Sequence, residues 1–343
     1  MINLYSDTQT RPTRAMREAM AAAEVGDEQS FADPTVNALC ERVAELLGFE
    51  AAVFLPSGTM CNAIAFRLHI GPGGDEAYLH RRSHPIVAEA GGPAALSGAV
   101  LCPLDGERGM FTADALRAAL RPAGDRYLPR SRLVSVEQTT NLAGGHVWPR
   151  EQLDAVVAVA REAELRLHMD GARLMNAVVA SGRSAASWAA GFDTAWVDFS
   201  KGLGAPVGAC LAGSRELIDE AWRYKQMWGG SMRQAGMIAA AGLYALEHHV
   251  ERLAEDHANA RVLADGLAEL PGVRLDPARV ETNIVIFEVD DAFALVGALH
   301  DAGIEVTPLG PTRIRMVTHL DVDRAGCELV VSTIRETLAA RAA

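Results

Sequence analysis

The chain has 343 residues, of which 49% are hydrophobic and 22% charged, and its formal net charge is -12 at neutral pH. This length exceeds that of one small domain and is sufficient for a large core and a subsidiary domain. The acidic balance and the absence of a Lys/Arg stripe argue against a nucleic-acid partner.

Cysteine usage and apolar runs bear on the cellular compartment. The five cysteines are scattered and lack C-x-x-C spacing, which argues against a disulfide framework or a structural zinc site. The start of the sequence shows neither the basic nor the apolar region of an export signal. The longest apolar run, residues 237–246, is about half as long as a membrane span requires. These features predict a cytoplasmic protein without a membrane partner.

Strand-like and helix-like segments alternate through most of the sequence. Asp33 and Pro34 form an N-cap followed by proline at the first helical position, and the helix that they open ends at Gly48. We expect strands at 51–55, 77–80, 100–104, 133–136, 165–169, 194–199 and 209–212, and helices at 112–120, 149–163 and 172–180. Continuous apolar strands with helices between them predict an α/β fold with a largely parallel sheet covered on both faces.

The pattern changes after about residue 233. A long helical region runs toward Leu270 and ends at Pro271 and Gly272. A βαβ-type unit follows, with strands at 283–289, 304–307 and 313–317, a helix from about residue 291 and a final helix from about residue 321. This organisation predicts a large domain over residues 1–240 and a smaller C-terminal α/β domain over residues 241–343.

Two predicted strand ends carry the most informative residues. Asp170 ends one apolar strand shortly before Arg173, and Lys201 follows another beside Ser200. Burying an unpaired carboxylate in an apolar strand costs on the order of several kcal/mol, so Asp170 is expected to have a partner. The alternative role for Asp170 is to cap the following helix. Lys201 alone is also suited to reach solvent. Together, a lysine for covalent attachment and a carboxylate for a pyridinium nitrogen favour pyridoxal 5'-phosphate (PLP) as the cofactor.

A glycine-containing turn, Ser57-Gly58-Thr59, lies between a predicted strand and a helix. Free backbone N–H groups and the positive end of the helix dipole make it a candidate phosphate site, although such turns are also common helix caps. His84 is a candidate for stacking on the cofactor ring, although a lone histidine is often structural. The direction of His168 stays open, because it lies near the end of its strand.

Three arginines are available to bind a carboxylate or a phosphate: Arg173, Arg233 and Arg315. Arg315 lies on a predicted strand, on the same face as Arg313, and we expect one of these arginines to grip a substrate carboxylate through two parallel hydrogen bonds. Other histidines show no metal-ligand spacing, so we predict no metal site; these are His248, His249, His300 and His319.

Along nearly its whole length the chain resembles the low-specificity L-threonine aldolase family, in both the order and the spacing of several short stretches. The matching stretches are residues 6–12, 33–37, 54–59, 89–92, 170–173, 200–208, 232–234 and 317–321. The resemblance implies a fold of the aspartate-aminotransferase-like PLP enzymes (fold type I), with a mostly parallel seven-stranded sheet in the large domain. It also implies a homo-oligomer, in our expectation a homotetramer, whose active sites are shared between subunits.

The resemblance implies a role for each residue of the cofactor site. Lys201 would hold PLP covalently, and Asp170 would contact the ring nitrogen. Gly58 and Thr59 would seat the phosphate, and His84 would stack on the ring.

The remaining roles concern the edge of the cofactor and the substrate. Ser200 would lie beside the cofactor, and Arg173 near the ring oxygen or the substrate carboxylate. Ser6 and Arg315 would grip that carboxylate. Arg233 would lie near the phosphate, either of its own or of a neighbouring subunit.

Two departures from the family pattern concern the substrate side chain. The family usually carries a second histidine in the loop after Glu137, facing the substrate hydroxyl, where this chain has Thr140. A tyrosine often found in the 26–33 loop is missing, and Ser30 and Phe31 stand there. These changes leave the stereochemical preference at the β-carbon and the substrate size open.

The implied activity is that of a carbon–carbon lyase. The resemblance implies reversible cleavage of L-threonine, L-allo-threonine and related β-hydroxy-α-amino acids to glycine and an aldehyde. His84 or an ordered water would serve as the base, since Thr140 is not basic enough. The alternatives are a PLP-dependent β-eliminating lyase on the same scaffold and a non-catalytic PLP-binding protein. The Lys201–Asp170 pair argues against the latter.

Overall fold

The computed structural model describes residues 1–342 of the chain. Within this range the strands are β1 (Ile2–Asn3), β2 (Ala51–Leu55), β3 (Glu76–His80), β4 (Val100–Leu104), β5 (Ser131–Glu137), β6 (Arg166–Asp170), β7 (Thr194–Asp198), β8 (Ala209–Gly213), β9 (Ile284–Glu288), β10 (Ile304–Glu305), β11 (Thr307–Pro308) and β12 (Arg313–Val317).

The α-helices alternate with the strands in the first two thirds of the chain. They are α1 (Arg14–Ala21), α2 (Pro34–Leu47), α3 (Gly58–His69), α4 (His84–Val87), α5 (Gly92–Ser97), α6 (Ala113–Ala119), α7 (Arg150–Glu162), α8 (Leu174–Ser181), α9 (Ala185–Ala189), α10 (Arg215–Met227), α11 (Gly236–His248), α12 (Leu253–Ala268), α13 (Ala292–Asp301) and α14 (Arg324–Ala342).

A seven-stranded sheet in the order β2-β8-β7-β6-β5-β3-β4 forms the centre of the molecule. Strand β8 runs antiparallel to both of its neighbours, and every other pairing in this sheet is parallel. This confirms the predicted α/β fold with a mostly parallel seven-stranded sheet. Parallel strands place their carboxyl ends at one edge of a sheet, which is where ligands bind in such folds.

The predicted start and end of α2 are confirmed. Asp33 Oδ1 accepts hydrogen bonds from the backbone N–H groups of Thr35 (3.1 Å) and Val36 (3.0 Å), and Gly48 ends the helix with φ +74°. The other oxygen of Asp33 accepts from the N–H of Gly236, at 2.8 Å. The same carboxylate therefore caps α2 and ties it to α11, which packs against it.

The helical region after residue 233 was predicted as one long segment, and this is wrong. It consists of α11 and α12 with a turn between them. His249 lies at that turn and is buried, and its Nδ1 donates to the backbone carbonyl of Leu203 at 2.7 Å. This tertiary hydrogen bond holds the chain in a turn that helical periodicity alone does not reveal.

The C-terminal βαβ-type unit differs in detail from the prediction. Strand β12 lies between β9 and β11 and runs antiparallel to both. The two parallel strands that α13 connects, β9 and β11, are therefore not neighbours in the sheet. The predicted single strand 304–307 is two short strands, because β10 pairs with the N-terminal strand β1 instead. The chain start therefore adds to the C-terminal part of the fold.

The buried apolar side chains form two main clusters, a first around the seven-stranded sheet and a second in the C-terminal part, and two smaller clusters also lie on the sheet. The second cluster takes its buried residues from 260 onward, apart from Leu4. Helix α11 spans the predicted boundary at residue 240 and packs against α1 and α2, and a division of the chain at that residue stays a prediction. Within residues 1–342, no helix is both long and apolar enough to cross a membrane.

Candidate active site

A cavity of about 200 Å³ lies at the carboxyl ends of β2, β6 and β7. We call it the lysine cavity. It brings together six residues of the predicted cofactor site: Gly58, Thr59, His84, Asp170, Ser200 and Lys201. Thr8, Ser57, Ala172, Trp196 and Asp198 complete its lining.

Lys201 is held at the end of β7 by Asp198. The lysine amine forms an ion pair with Asp198 Oδ2, and its nitrogen lies 5.5 Å from the centre of the Trp196 ring. Asp198 Oδ1 accepts from the backbone N–H (2.8 Å) and the hydroxyl (2.7 Å) of Ser200. The carboxylate thus orders the short segment that carries the lysine.

Asp170 is buried at the end of β6, with both carboxylate oxygens satisfied. Its Oδ2 accepts from Asn62 Nδ2 at 2.8 Å, and its Oδ1 accepts from the backbone N–H of Ala172 at 3.0 Å. These donors compensate for the removal of the carboxylate from water. They also set the orientation of the carboxylate that lines the lysine cavity.

Asn62 is the centre of a buried hydrogen-bond network. Its second amide proton goes to Glu89 Oε1, at 2.7 Å. Its Oδ1 accepts from Trp196 Nε1 at 2.8 Å and from His168 Nε2 at 3.1 Å. All four hydrogen bonds of the amide are therefore made, and His168 lies on the same face of β6 as Asp170.

His84 is paired with Glu89 at the rim of the lysine cavity. Its Nδ1 lies 2.7 Å from Glu89 Oε1, the oxygen that also accepts from Asn62. Burial alone lowers the pKa of His84, but the hydrogen bond to Glu89 and the charge of Asp170 outweigh it and raise the pKa. The other oxygen of Glu89 is buried and has no hydrogen-bond partner within the described residues.

The start of α3 supplies a cradle for an anion. The Ser57 hydroxyl caps the N–H of Met60 at 3.2 Å, which leaves the N–H groups of Gly58 and Thr59 without an acceptor in the helix. A Cβ at Gly58 would lie 2.2 Å from the ring of Trp196, so only glycine allows the indole to pack under this turn. An amine, a carboxylate, an imidazole and a helix N-terminus around one cavity fit the requirements of PLP.

Arg173 is buried and bound by Asp7, a residue that the sequence analysis did not single out. Two parallel hydrogen bonds of 2.8 and 2.6 Å join the guanidinium to the carboxylate. Burial raises the pKa of Asp7, but Arg173 outweighs it and lowers the pKa to about 2. The guanidinium is therefore held rigidly by its Nε and one Nη.

Arg315 lies near Arg173 and retains free donor capacity. It donates to Asn141 Oδ1 (3.0 Å) and to the backbone carbonyl of Tyr5 (3.2 Å), and its buried Nε has no hydrogen-bond partner among residues 1–342. Burial and the charge of Arg173 lower its pKa. Ser6 follows Tyr5, and its hydroxyl accepts from the side chain of Thr8 at 2.9 Å. Ser6 and Arg315 are thus brought together, next to a residue that lines the cavity.

Glu137 lies beside Asp170, because β5 and β6 pair these two residues in register. Burial and the charge of Asp170 raise the pKa of Glu137 to about 7. Its Oε2 accepts from the backbone N–H of Asn141 at 3.1 Å, and Asn141 in turn contacts Arg315. The carboxyl therefore orders the turn that positions this arginine.

Thr140 does not line the lysine cavity. Its hydroxyl accepts from the backbone N–H of His146 at 3.2 Å, and it packs so closely on Gly109 that a Cβ there would lie 2.8 Å away. Its contact with a substrate hydroxyl stays a prediction.

Arg233 and Ser30 lie together on the surface, outside the cavity. Arg233 forms an ion pair with Asp27 at 3.1 Å, and the Ser30 hydroxyl donates to the carbonyl of the same residue at 3.1 Å. Both are exposed, and their roles at a site also stay predictions.

Sequence reasoning missed the residues that hold the predicted ones in place: Asn62, Glu89, Asp198 and Asp7. Asp198 carried a usable signal, since it ends an apolar strand as Asp170 does. Asn62 carried a weaker one, as an amide four residues after Gly58 on an apolar helix. Within residues 1–342, no group of three or more His, Cys, Asp or Glu is arranged to hold a metal ion.

Comparison with known proteins shows a consistent set of relatives. Residues 3–292 match the beta-eliminating lyase family. The low specificity L-threonine aldolase of Escherichia coli (strain K12) is 42% identical over 341 residues, which cover 99% of this chain and 100% of that protein. Low-specificity L-threonine aldolase 1 of Arabidopsis thaliana is 37% identical over 344 residues, which cover 98% of this chain and 96% of that protein. The solved threonine aldolase of Leishmania major has the same fold, with a TM-score of 0.84 at 19% identity over 98% of this chain and 99% of that one.

Proposed function

The chain belongs to the beta-eliminating lyase family and, within it, to the low-specificity L-threonine aldolases, and from this premise we propose how its site works. It is a carbon–carbon lyase that cleaves L-threonine, L-allo-threonine and related β-hydroxy-α-amino acids to glycine and an aldehyde, with PLP as cofactor. The assignment is carried by the lysine cavity, where Lys201, Asp170 and the start of α3 meet.

The choice of lysine follows from a count. The chain contains only two lysines, Lys201 and Lys225. Lys225 is fully buried in an ion pair with Glu28 at 2.8 Å, so Lys201 is the amine that is available to hold the cofactor. Asp170 would contact the ring nitrogen, and the N–H groups at the start of α3 would bind the phosphate. When bound, PLP supplies an electron sink for the electrons of the breaking Cα–Cβ bond.

The positive charges of two buried guanidinium groups, those of Arg173 and Arg315, favour the binding of a carboxylate between or beside them. The buried Nε of Arg315 has no partner in the described part of the chain, and burial and the charge of Arg173 lower the pKa of this guanidinium. We propose that Arg315 binds the substrate carboxylate, with Ser6 beside it and Arg173 held in place by Asp7. Fixing the carboxylate sets the direction of the bond to be cleaved relative to the cofactor.

His84 is our candidate for the base that takes the β-hydroxyl proton. Since Nδ1 faces Glu89, Nε2 is the nitrogen that remains for the substrate. Glu89 would hold the imidazole in the tautomer with a free Nε2 lone pair and would stabilise the cation that forms after proton transfer. The same proton then becomes available to the product.

A homotetramer in the cytoplasm, with sites shared between subunits, is part of the proposal. Three large apolar side chains near Arg233 are exposed and suit a subunit contact: Phe31 (62%), Met227 (59%) and Met237 (52%). Such a contact would bring Arg233 and Ser30 to a neighbouring site. Sedimentation analysis of the purified protein tests this directly, and a monomer at micromolar concentration would contradict it.

Borohydride reduction of the PLP-loaded protein, followed by peptide mapping, tests the lysine assignment. We expect the cofactor on the peptide that contains Lys201 and none on the peptide with Lys225. Lys201→Ala should abolish the absorbance of the covalently bound (imine) cofactor near neutral pH and nearly all cleavage of L-threonine. Labelling of Lys225, or unchanged turnover in the variant, would overturn the assignment.

Product analysis separates the two lyase reactions. Glycine and acetaldehyde from L-threonine support the aldolase, whereas a 2-oxo acid and ammonia support β-elimination. PLP binding without turnover of any amino acid would support a binding protein instead.

A further inference from the structure

A second and larger cavity lies between the carboxyl ends of β3 and β4 and the three-stranded sheet formed by β9, β11 and β12. Its volume is about 690 Å³, a size that suits a small metabolite. Six arginines line it: Arg81, Arg82, Arg108, Arg274, Arg279 and Arg313. We call it the arginine cleft. Four carboxylates also line it, and two more, Glu281 and Asp290, pair with its arginines from outside the lining, so any positive charge available to a ligand lies on the arginines that stay unpaired.

Half of these arginines are neutralised by carboxylates of the chain. The ion pairs are Arg81–Asp105, Arg108–Glu281 and Arg274–Asp290. The others, Arg82, Arg279 and Arg313, form no side-chain hydrogen bond or ion pair within residues 1–342. Their donors therefore remain free to bind a ligand.

The unpaired arginines also repel other arginines of the cleft. Burial and then the charge of Arg82 lower the pKa of Arg313, while burial and then Arg279 lower the pKa of Arg108. The Nε of Arg108 is buried and has no hydrogen-bond partner within the described residues. Like charges that line one cleft are unfavourable until an anion lies among them, because its negative charge offsets their repulsion.

The arginine cleft adjoins the substrate end of the lysine cavity. Arg82 precedes His84 by two residues, and Arg313 precedes Arg315 by two residues on the same face of β12. The loop that carries Asn141, a contact of Arg315, also lines the cleft through Gly144. The segment of residues 82–84 thus lines both cavities, and two further segments connect the cleft to Arg315.

We propose that the arginine cleft binds a small polyanion with phosphate or carboxylate groups, using Arg82, Arg279 and Arg313. Planar guanidinium groups bind such oxyanions through two parallel hydrogen bonds. The anion is either a free metabolite or the acidic side chain of an amino-acid substrate, and this second source rests on the proposed function.

Calorimetric titration of the PLP-loaded protein with pyrophosphate at low ionic strength tests the proposal. PLP occupies its own phosphate seat in this form, so the titration reports on other anion sites. We expect binding that weakens with added salt and at least a tenfold loss of affinity in the Arg82→Gln/Arg279→Gln double variant. Both arginines are exposed and form no ion pair with the described residues, so the variant should fold normally. Arg335→Gln, an exposed arginine on α14 outside the cleft, is the matched control and should bind as the wild type does.

Absence of pyrophosphate binding to the wild type, or a double variant that binds within twofold of it, would overturn the proposal. A second measurement identifies the source of the anion: kcat/KM on L-threonine and on 3-hydroxyaspartate. A loss confined to 3-hydroxyaspartate supports an acidic substrate side chain, and a loss of pyrophosphate affinity with both kcat/KM values retained supports a free anion. If the wild type cleaves no amino acid, the proposed function fails, while the calorimetric result still decides the cleft.

Discussion

Replacing Asn62 with alanine should destabilise the protein far more than the loss of one buried amide usually does. Asn62 is 1% exposed and makes four hydrogen bonds, two to carboxylates and two from ring N–H groups. Alanine has no group to replace any of them. Trp196 and His168 would then hold buried donors without acceptors, and Asp170 would lose one of its two donors.

The magnitude follows from the count of bonds. Four hydrogen bonds at about 1 kcal/mol each predict a loss of about 4 kcal/mol in the free energy of unfolding. With a denaturant slope of about 3 kcal/mol per M urea, the unfolding midpoint should fall by about 1.3 M. Water that enters the vacated volume would reduce the loss, because it can satisfy some of the four partners.

Urea unfolding of the apoprotein, followed by circular dichroism, is the assay. The apoprotein is used because PLP binding adds its own contribution to stability. Asn37→Ala is the matched control, since its amide is half-buried and makes one side-chain hydrogen bond, to the carbonyl of Phe31 at 2.8 Å. Its expected cost is about 1 kcal/mol or less. Equal midpoints for the two variants would refute the network as a source of stability.

Two further variants test the cofactor end of the site. Gly58→Ala would place a methyl group 2.2 Å from the buried Trp196 ring, so we expect a loss of about 1–3 kcal/mol in stability and weaker PLP binding by spectrophotometric titration. Gly297→Ala is its control, because no atom lies within 4 Å of a Cβ there, and equal PLP affinities for the two variants would contradict the packing argument. For Glu137→Gln the readout is the pH dependence of apoprotein stability. The pKa of Glu137 is raised from 4.5 to about 7, so the folded state binds more protons than the unfolded chain in this window and Glu137 makes stability fall as pH rises. The variant should lose that part of the slope, and superimposable pH profiles would argue against a raised pKa.

The grouping of the residues proposed to hold the cofactor was predictable because it depends on local pattern. A strand that ends in a polar residue delivers its side chain to the sheet edge, whatever the rest of the chain does. Asp170, Lys201 and the turn at Gly58 each have that form, and all three line the lysine cavity. The same reasoning places β2, β4 and β12 at their predicted bounds.

The supporting residues were less predictable because their contacts are distant in sequence. Asn62 and Asp170 are 108 residues apart, and Arg173 and Asp7 are 166 apart. A single sequence does not show which buried carboxylate pairs with which donor. Burial of a polar residue is only a sign that some partner exists.

The substrate end of the site was the hardest part to predict. Its side chains come from loops as well as from segments that are distant in sequence. Arg315 depends on Asn141 and on the backbone of Tyr5, and the loop that carries Asn141 turns through Gly144 at φ +120°. That turn directs the Thr140 hydroxyl toward His146 and leaves the neighbouring loop surface open to the arginine cleft. Any effect of position 140 on substrate preference therefore depends on the backbone of this loop as well as on the residue type, because the backbone decides which way the side chain faces. The charge that borders this end of the site is set by Arg82 and Arg313 instead, which is why substrates with acidic side chains are the more informative ones to compare with L-threonine.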